Sequence, residues 1–324
     1  MKINNKKYYK LNKELKYILN DYRKIKNFNS KNYIEIKTEM LNNFFKENNI
    51  SKCVIGISGG IDSAVVLGLL NKVKQKENSI LKEIYPVLMP SLNTKGTTNQ
   101  LDGLKKAKKV CKKFNLKQII FNISNIVKEI NKETKQILEL KNIEEWEQGQ
   151  LIPNLRVPII NFISTIKGNS IIVGTTNKSE GAYIGFFGKY SDAMVDIQPI
   201  TDLYKSEVIK VAKELKVPKS IIKAKPRGDV YNNKTDEEMF GCSYDALELY
   251  LIYKKISYSE RYTLEQYLDK KSFKLLKKIS KNLENFHQYN KHKYKIYSQA
   301  LHFDIYPQTI KNGWKYKNYK KELQ

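Results

Sequence analysis

The stretch that decides the fold is residues 53–70, CVIGISGGIDSAVVLGLL, in which a polar glycine segment separates two apolar runs. The first run has the length of a buried strand, and the second has the length of a helix. Glycines between a strand and a helix let the backbone approach an anion, because the N–H groups at the start of the helix point toward the loop. Residues 58–63, SGGIDS, therefore predict a phosphate-binding loop.

Two familiar phosphate motifs are absent from this sequence. It has neither GxxxxGK[ST] nor GxGxxG, although residues 185–190, GFFGKY, superficially resemble the first. Ser58 and Ser63 can donate to phosphate oxygens, whereas Asp62 needs a divalent cation between itself and a phosphate. The alternative is a tight turn with Asp62 as a helix N-cap. The whole hexapeptide directly after a strand favours the phosphate loop over that turn.

Apolar strand-like runs alternate with segments of helical spacing along the chain. Because the strands are continuous apolar runs, we predict an α/β fold with a doubly wound parallel sheet and helices on both faces. From about residue 252 the chain is lysine-rich, and we expect helices there without strands; residues 1–30 also allow a helix. The predicted strands are 53–58, 84–89, 118–123 and 171–175, and the predicted helices are 33–48, 62–76, 101–114, most of 124–166, and 206–215.

The composition is strongly basic, with 59 Lys and Arg against 33 Asp and Glu, a net charge of +26. The excess is mostly lysine and is spread along the chain, which favours a solvated basic surface; a polyanionic partner is the open alternative. None of Cys53, Cys111 and Cys242 forms a CxxC pair, which fits a reducing compartment. Without a signal-like N-terminus or a long apolar run, we expect a cytoplasmic protein with no membrane contact.

The loop and the motifs that follow it resemble one enzyme family. SGGIDS is similar to the pyrophosphate loop of the ATP pyrophosphatases, which adenylate a substrate oxygen. The later motifs resemble the NAD synthetase signature and follow its order. They are IVGTTNKSE at 172–180, GFFGKYSD at 185–192, VDIQPI and DLYKSEV within 195–208, TDEEMFGCSYD at 235–245, and the pair His292 and Lys293.

This resemblance implies a carbon–nitrogen ligase that converts deamido-NAD to NAD with ATP and ammonia. The reaction passes through an acyl-adenylate and releases AMP and pyrophosphate. Glutamine-dependent members make ammonia in a fused domain before the loop. Because only about 50 residues precede the loop here, we expect ammonia from solution or from a separate partner. The resemblance also implies a homodimer and makes nucleic acid an unlikely partner.

The resemblance carries roles to individual residues. Asp62, Glu180 and Lys205 are the predicted catalytic residues, and Asp62 and Glu180 are the predicted Mg²⁺ ligands. Taken alone, Glu180 would be a helix-start charge and Lys205 a surface lysine. The predicted ATP contacts are Gly56, Ile57, Ser58, Gly59, Gly60, Ile61, Asp62, Ser63, Thr175, Lys205 and Arg227. The predicted deamido-NAD contacts are Arg156, Lys189, Asp196, His292 and Lys293.

Two segments depart from the family pattern. Pro158 and Ile160 stand where the family has arginines, and Arg156 lies two residues away. Arg227 stands where the family has a hydroxyl side chain, although a guanidinium can also bind a phosphate. A different carboxylate acceptor therefore stays open. An RNA-modifying relative, suggested by the net charge of +26, and a non-enzymatic scaffold stay open as well. The predicted division is a basic extension at 1–32, the NAD synthetase-like domain at 33–295 and a basic tail at 296–324.

Overall fold

A computed structural model describes residues 8–92, 100–228, 234–294 and 301–302. The described part of the chain contains one six-stranded sheet in which all recorded strand pairs are parallel. Its strand order is β3–β2–β1–β4–β5–β6. The strands are β1 Lys52–Gly56, β2 Glu83–Leu88, β3 Ile119–Ile120, β4 Ser170–Val173, β5 Ile197–Gln198 and β6 Leu301–His302.

Helices surround this sheet and also extend away from it. The helices before β4 are α1 Lys13–Lys26, α2 Ser30–Glu47, α3 Ile61–Lys74, α4 Gln100–Lys113, α5 Ser124–Ile137 and α6 Glu145–Lys167. The later helices are α7 Lys178–Gly181, α8 Lys205–Glu214, α9 Lys219–Ile222, α10 Asp236–Phe240, α11 Tyr244–Lys255, α12 Tyr258–Tyr267 and α13 Lys270–Asn290, followed by a 3₁₀ turn at Lys291–Tyr294. No described helix is long and apolar enough to cross a membrane.

Both faces of the sheet are covered, as the continuous apolar strands predict. On β1, Cys53 and Ile55 belong to an apolar cluster with α2, α3 and α8, whereas Val54 belongs to a cluster with α5 and α6. Successive side chains of a strand point to opposite faces, so β1 anchors both layers. The doubly wound parallel fold is confirmed. β1 lies between β2 and β4, where the strand order reverses, and ligand crevices form at that point of such sheets.

Two parts of the predicted strand pattern differ from the structure. The run predicted as a strand at 118–123 pairs only at Ile119–Ile120. The N–H groups of Phe121 and Ile123 still donate to carbonyls of Leu88 and Pro90, so the run follows β2 as irregular backbone. The expectation of no strand after residue 252 is wrong, because β6 pairs with β5 at the sheet edge. Two residues are too few to leave a period-two signal.

A second apolar cluster lies outside the sheet. It joins α1, α11 and α13 through side chains such as Leu15, Leu19, Leu247 and Leu283. The helix that the sequence allowed within residues 1–30 is therefore present and packed. The predicted division into 1–32, 33–295 and 296–324 stays a prediction.

Candidate active site

The glycine loop leaves β1 and enters α3 in a conformation that requires glycine. Gly59 has a φ of +87°, and a Cβ there would lie 2.3 Å from the carbonyl oxygen of Gly103. The N-cap of α3 is Gly60, with no side-chain cap, so the alternative of Asp62 as N-cap is wrong. The Oγ of Ser63 donates to the Gly60 carbonyl at 3.1 Å, and the N–H of Gly60 donates to the Oγ of Ser58 at 3.2 Å. These bonds keep both hydroxyls inside the loop.

The three predicted catalytic residues meet beside this loop. The Nζ of Lys205 lies 2.7 Å from the Oδ2 of Asp62 and 2.9 Å from the Oε1 of Glu180. Asp62 is in the first turn of α3, Glu180 is in α7 after β4, and Lys205 opens α8. Three separate elements therefore bring their helix starts together at the carboxyl edge of the sheet.

Asn177 links the Asp62 carboxylate to the backbone of Glu180. Its Nδ2 donates to the Oδ1 of Asp62 at 2.9 Å, and its Oδ1 caps α7 by accepting from the N–H of Glu180 at 3.2 Å. Asn177 is fully buried. One buried side chain therefore joins the first turn of α3 to the start of α7.

Tyr244 and Asp236 extend the cluster and were not assigned a role from the sequence. The hydroxyl of Tyr244 lies 2.8 Å from the Oε1 of Glu180 and 3.0 Å from the Oδ2 of Asp236. Since it has a single proton, it donates to one carboxylate at a time. Both residues lie in TDEEMFGCSYD, so the motif was a signal, but its spacing alone does not show which carboxylate Tyr244 reaches.

The cluster places three carboxyl groups around one ammonium. Burial raises the pKa of Glu180 despite the attraction of Lys205, and burial likewise raises the pKa of Asp236. For Lys205 burial opposes the charged form, but Asp62, Glu180 and Asp236 outweigh it and raise its pKa well above the ordinary value. Three carboxylates around one ammonium favour a further cation.

The donor set fits Mg²⁺ that binds together with a nucleotide. Among the described residues, no group of three or more His, Cys, Asp or Glu side chains is placed to hold a metal alone. Mg²⁺ commonly binds one or two carboxylates and completes its shell with phosphate oxygens and water. Asp62 and Glu180 share one ammonium within 3 Å and offer that pair of carboxylates.

A cavity of about 230 Å³ opens at the carboxyl ends of β1, β2 and β4. Of the predicted ATP contacts, Gly56, Ile57, Ser58 and Thr175 line it, and Met89 and Ile160 contribute apolar walls. The sheet therefore brings the loop and the GTT segment to one space.

Arg156 and Gln100 also line this cavity. The Nε of Arg156 donates to the Met89 carbonyl at 3.2 Å, and its Nη2 lies 3.4 Å from the Oε1 of Gln100. That oxygen also accepts from the N–H of Ser91 at 2.6 Å, whereas the buried Nε2 of Gln100 has no partner within the described ranges. No motif pointed to Gln100.

Four predicted deamido-NAD contacts and the predicted ATP contact Arg227 lie neither in the cavity lining nor in the charged cluster. Lys293 donates to the carbonyls of Gly185 and Phe187 at 3.0 and 2.7 Å, and burial lowers its pKa to about 8. Asp196 accepts from the N–H of Ile172 at 2.7 Å. The other three are Lys189, which lies over the Tyr190 ring, and the exposed Arg227 and His292.

The three cysteines are buried and free of disulfides. Burial raises the pKa of Cys53 and Cys242 far above the ordinary value and that of Cys111 to about 11. Because a persulfide carrier needs an accessible thiolate, none of them suits that chemistry.

Comparison with known proteins gives one family. Residues 33–296 match the model of NAD synthase. An NH(3)-dependent NAD(+) synthetase from Thermoplasma volcanium is 36% identical over 198 residues, which cover 61% of this chain and 74% of the relative. An NH3-dependent NAD synthetase from Campylobacter jejuni superposes with a TM-score of 0.60 at 25% identity, over 85% of this chain and 100% of that one. An NMN synthetase from Francisella tularensis shares the fold with a TM-score of 0.66 at 24% identity, over 84% and 98%.

Proposed function

The chain belongs to the NAD synthase family of ammonia-dependent carbon–nitrogen ligases, and from this premise we propose that it amidates deamido-NAD in a Mg²⁺- and ATP-dependent reaction. The observation that carries the proposal is the position of Lys205 between Asp62 and Glu180 beside the glycine loop. A scaffold that had lost catalysis would not need two carboxylates and a buried ammonium at one point.

The chemistry of this proposal is the management of negative charge. The nicotinate carboxylate attacks the α-phosphorus of ATP, and the bond to pyrophosphate breaks. Ammonia then attacks the acyl carbon, loses a proton, and displaces AMP to leave the amide. Lys205 offsets charge on the phosphates, and the N–H groups at the start of α3 face the same charge. Bound Mg²⁺ on Asp62 and Glu180 would supply further neutralisation.

We propose that the adenosine of ATP occupies the cavity and its phosphates the glycine loop. The apolar walls suit a purine ring. Arg156 was predicted to contact deamido-NAD, but its place beside Gln100 favours contact with ATP. Arg227 is exposed and stays a predicted ATP contact only.

A second candidate is the same ATP chemistry on a different carboxylate. Pro158 and Ile160 stand in α6 where the family has arginines, and the predicted acceptor contacts Lys189, Asp196, His292 and Lys293 do not line the cavity. A homodimer in which a second copy supplies part of the acceptor site would also account for this separation, and we propose it. Buried, unpaired cysteines support a reducing, cytoplasmic setting.

The test is product analysis. The purified protein is incubated with ATP, Mg²⁺, ammonium and deamido-NAD, and NAD and AMP are quantified by mass spectrometry. We expect equal amounts of both products, lost in Asp62→Ala and kept in the matched control Glu129→Ala, an exposed carboxylate on α5. Parallel reactions contain nicotinic acid mononucleotide instead, which carries the same carboxylate on a smaller nucleotide.

Each outcome selects one function. AMP without NAD, together with amide formation on the mononucleotide, would establish the second candidate. No AMP with any carboxylate would contradict both and support the scaffold. Sedimentation at micromolar concentration tests the dimer separately, since a monomer with full activity would contradict the shared acceptor site.

A further inference from the structure

The N-terminal segment, residues 8–26, lies before the family match, which begins at residue 33. It nevertheless contacts the elements that carry the charged cluster. Leu15 and Leu19 of α1 are 1% exposed and pack in the apolar cluster with α11 and α13. Asn12 caps α1 and donates to the Oγ of Ser272 at 2.6 Å. The segment is therefore a fixed part of the molecule.

The last turn of α1 supports the first turn of α8. Lys26 forms an ion pair with the Oε1 of Glu207, which is 4% exposed. The other oxygen of Glu207 accepts from the N–H of Tyr204 at 3.0 Å and closes the N-terminus of α8. Lys205 is the first residue of that helix. Lys26 thus fixes the residue that caps the helix on which Lys205 stands.

Arg23 supports the same turn through α11. Its Nε and Nη2 bind both oxygens of Glu248 at 3.0 and 2.6 Å, and its Nη2 also reaches Asp245 at 2.7 Å. Glu248 is 3% exposed and accepts from the Oγ of Ser206 at 2.8 Å. A buried carboxylate requires a partner, and a forked guanidinium fixes its orientation. Tyr204 directly precedes Lys205, and Ser206 directly follows it. Each of these neighbours donates to a carboxylate that pairs with a cation of α1.

Tyr8 and Tyr9, at the start of the segment, contact the residues that position Tyr244. The N–H of Tyr9 donates to the Gly241 carbonyl at 3.0 Å, and the N–H of Ser243 donates to the Tyr9 carbonyl at 2.9 Å. The hydroxyl of Tyr8 donates to the Oε2 of Glu237 at 2.7 Å, and the other oxygen of Glu237 accepts from the N–H of Tyr244 at 2.7 Å. The backbone that aims Tyr244 at Glu180 is thus bonded to residues 8 and 9.

We propose that residues 8–26 are a positioning segment for catalysis, in which Lys26 and Arg23 place Lys205 and residues 8 and 9 place Tyr244. The segment touches neither the cavity nor the predicted reacting atoms, so it acts through these residues. The inference rests on the proposed function for the role of Lys205 in ATP chemistry. It gives the basic N-terminal residues a specific task that is separate from nucleic-acid binding.

The test compares Lys26→Met and Arg23→Met with Lys24→Met, which removes the same charge from an exposed position on the same helix. Each variant is measured for MgATP binding by calorimetry, for kcat and KM, and for its melting temperature. We expect kcat to fall about tenfold or more in Lys26→Met and in Arg23→Met. KM for the carboxylate substrate should stay near the parent value, and Lys24→Met should match the parent.

Conservative variants separate positioning from simple loss of stability. Lys26→Arg should recover most of kcat, whereas Arg23→Lys should recover less, because an ammonium cannot reproduce the fork that binds both oxygens of Glu248. Assays run about 15 °C below the melting temperature of each variant, so that about 99% or more of the protein is folded. Full kcat in folded Lys26→Met and Arg23→Met would overturn the proposal.

A wrong proposed function can be distinguished from a wrong positioning proposal. If the parent protein makes neither NAD nor another amide, the function is wrong, and MgATP binding still tests the segment. Unchanged MgATP affinity and binding enthalpy in both variants would then overturn the positioning proposal. Weaker binding in both, with Lys24→Met unchanged, would support it without any assumption about the acceptor.

Discussion

At the scale of single residues, Lys205 supplies the positive charge that neutralises the carboxylates of the site. It is 3% exposed and pairs with Asp62 and Glu180. Lys205→Met leaves these carboxylates facing each other without their ammonium, so we expect ATP turnover to fall about 10²–10³-fold. Removal of one partner from a buried pair also lowers the free energy of unfolding by about 3–5 kcal/mol. Steady-state kinetics and urea denaturation measure the two effects.

Mg²⁺ provides the internal check on this variant. If the carboxylates attract a cation, Mg²⁺ without nucleotide should raise the melting temperature of Lys205→Met more than that of the parent. Lys213→Met, at an exposed position of the same helix, serves as the control and should behave as the parent. Equal Mg²⁺ responses in all three proteins would count against Asp62 and Glu180 as a metal-binding pair.

Gly59 is a second residue whose replacement has a defined effect. In Gly59→Ala the residue must keep a φ of +87° or move, and its Cβ would meet the Gly103 carbonyl at 2.3 Å. The left-handed backbone alone costs about 1–2 kcal/mol for a non-glycine residue, and the clash adds to it. We expect a lower free energy of unfolding by at least about 2 kcal/mol, together with weaker MgATP binding.

Gly60→Ala is the matched control for that change. Gly60 has a negative φ of −79°, and an added Cβ would meet only the Oγ of Ser58 at 3.2 Å. Urea denaturation should therefore show a smaller loss for Gly60→Ala than for Gly59→Ala. The reverse order would mean that the approach of α4 to the loop does not limit this position.

At the scale of elements, Glu284 of α13 connects three parts of the second apolar cluster. It accepts from the hydroxyls of Tyr183 and Tyr250 at 2.7 Å each and pairs with Lys254 at 3.1 Å. Burial opposes the charged form, but these bonds outweigh it and lower the pKa of Glu284 to about 2. A depressed carboxyl pKa stabilises the fold above the unfolded pKa of 4.5, and that stability is lost as pH falls toward 2.

Glu284→Gln should therefore flatten the acid side of the stability curve. Because Glu284 is 39% exposed, solvent screening makes the effect modest. Urea denaturation at about pH 6 and at about pH 3 should show a larger fall for the parent than for Glu284→Gln. Glu129→Gln, on the exposed face of α5, should follow the parent. A variant curve parallel to that of the parent would show that the tyrosine bonds do not favour the carboxylate.

The elements also show which features a sequence can predict. The strand, loop and first turn of α3 are contiguous, so SGGIDS was enough to place them. Asp62, Glu180 and Lys205 come from distant segments, and only their family motifs indicated that they meet. Contacts of Arg23 and Lys26 span more than 180 residues and leave no local pattern. Gln100 likewise became visible only once the sheet had set the walls of the cavity.

At the scale of the whole molecule, the net charge of +26 attracts anionic substrates. ATP and dinucleotides carry several negative charges, and a positive surface steers them toward a site. Screening shortens the range of this attraction from about 30 Å at 0.01 M salt to about 8 Å at 0.15 M. The association rate constant of MgATP should therefore fall several-fold over that range, while kcat changes little. Stopped-flow binding and saturating kinetics measure the two quantities.

A salt titration with RNA tests whether the lysines bind nucleic acid specifically. A solvated basic surface binds any polyanion, so tRNA and poly(A) should bind weakly, with similar affinities and similar slopes against the logarithm of salt. Added tRNA should then have no effect other than competition with ATP for the basic surface. A tRNA affinity that exceeds that of poly(A) at about 0.15 M salt, with a shallower slope, would instead reveal specific contacts. In that case the buried cysteines would still exclude a persulfide mechanism in this conformation.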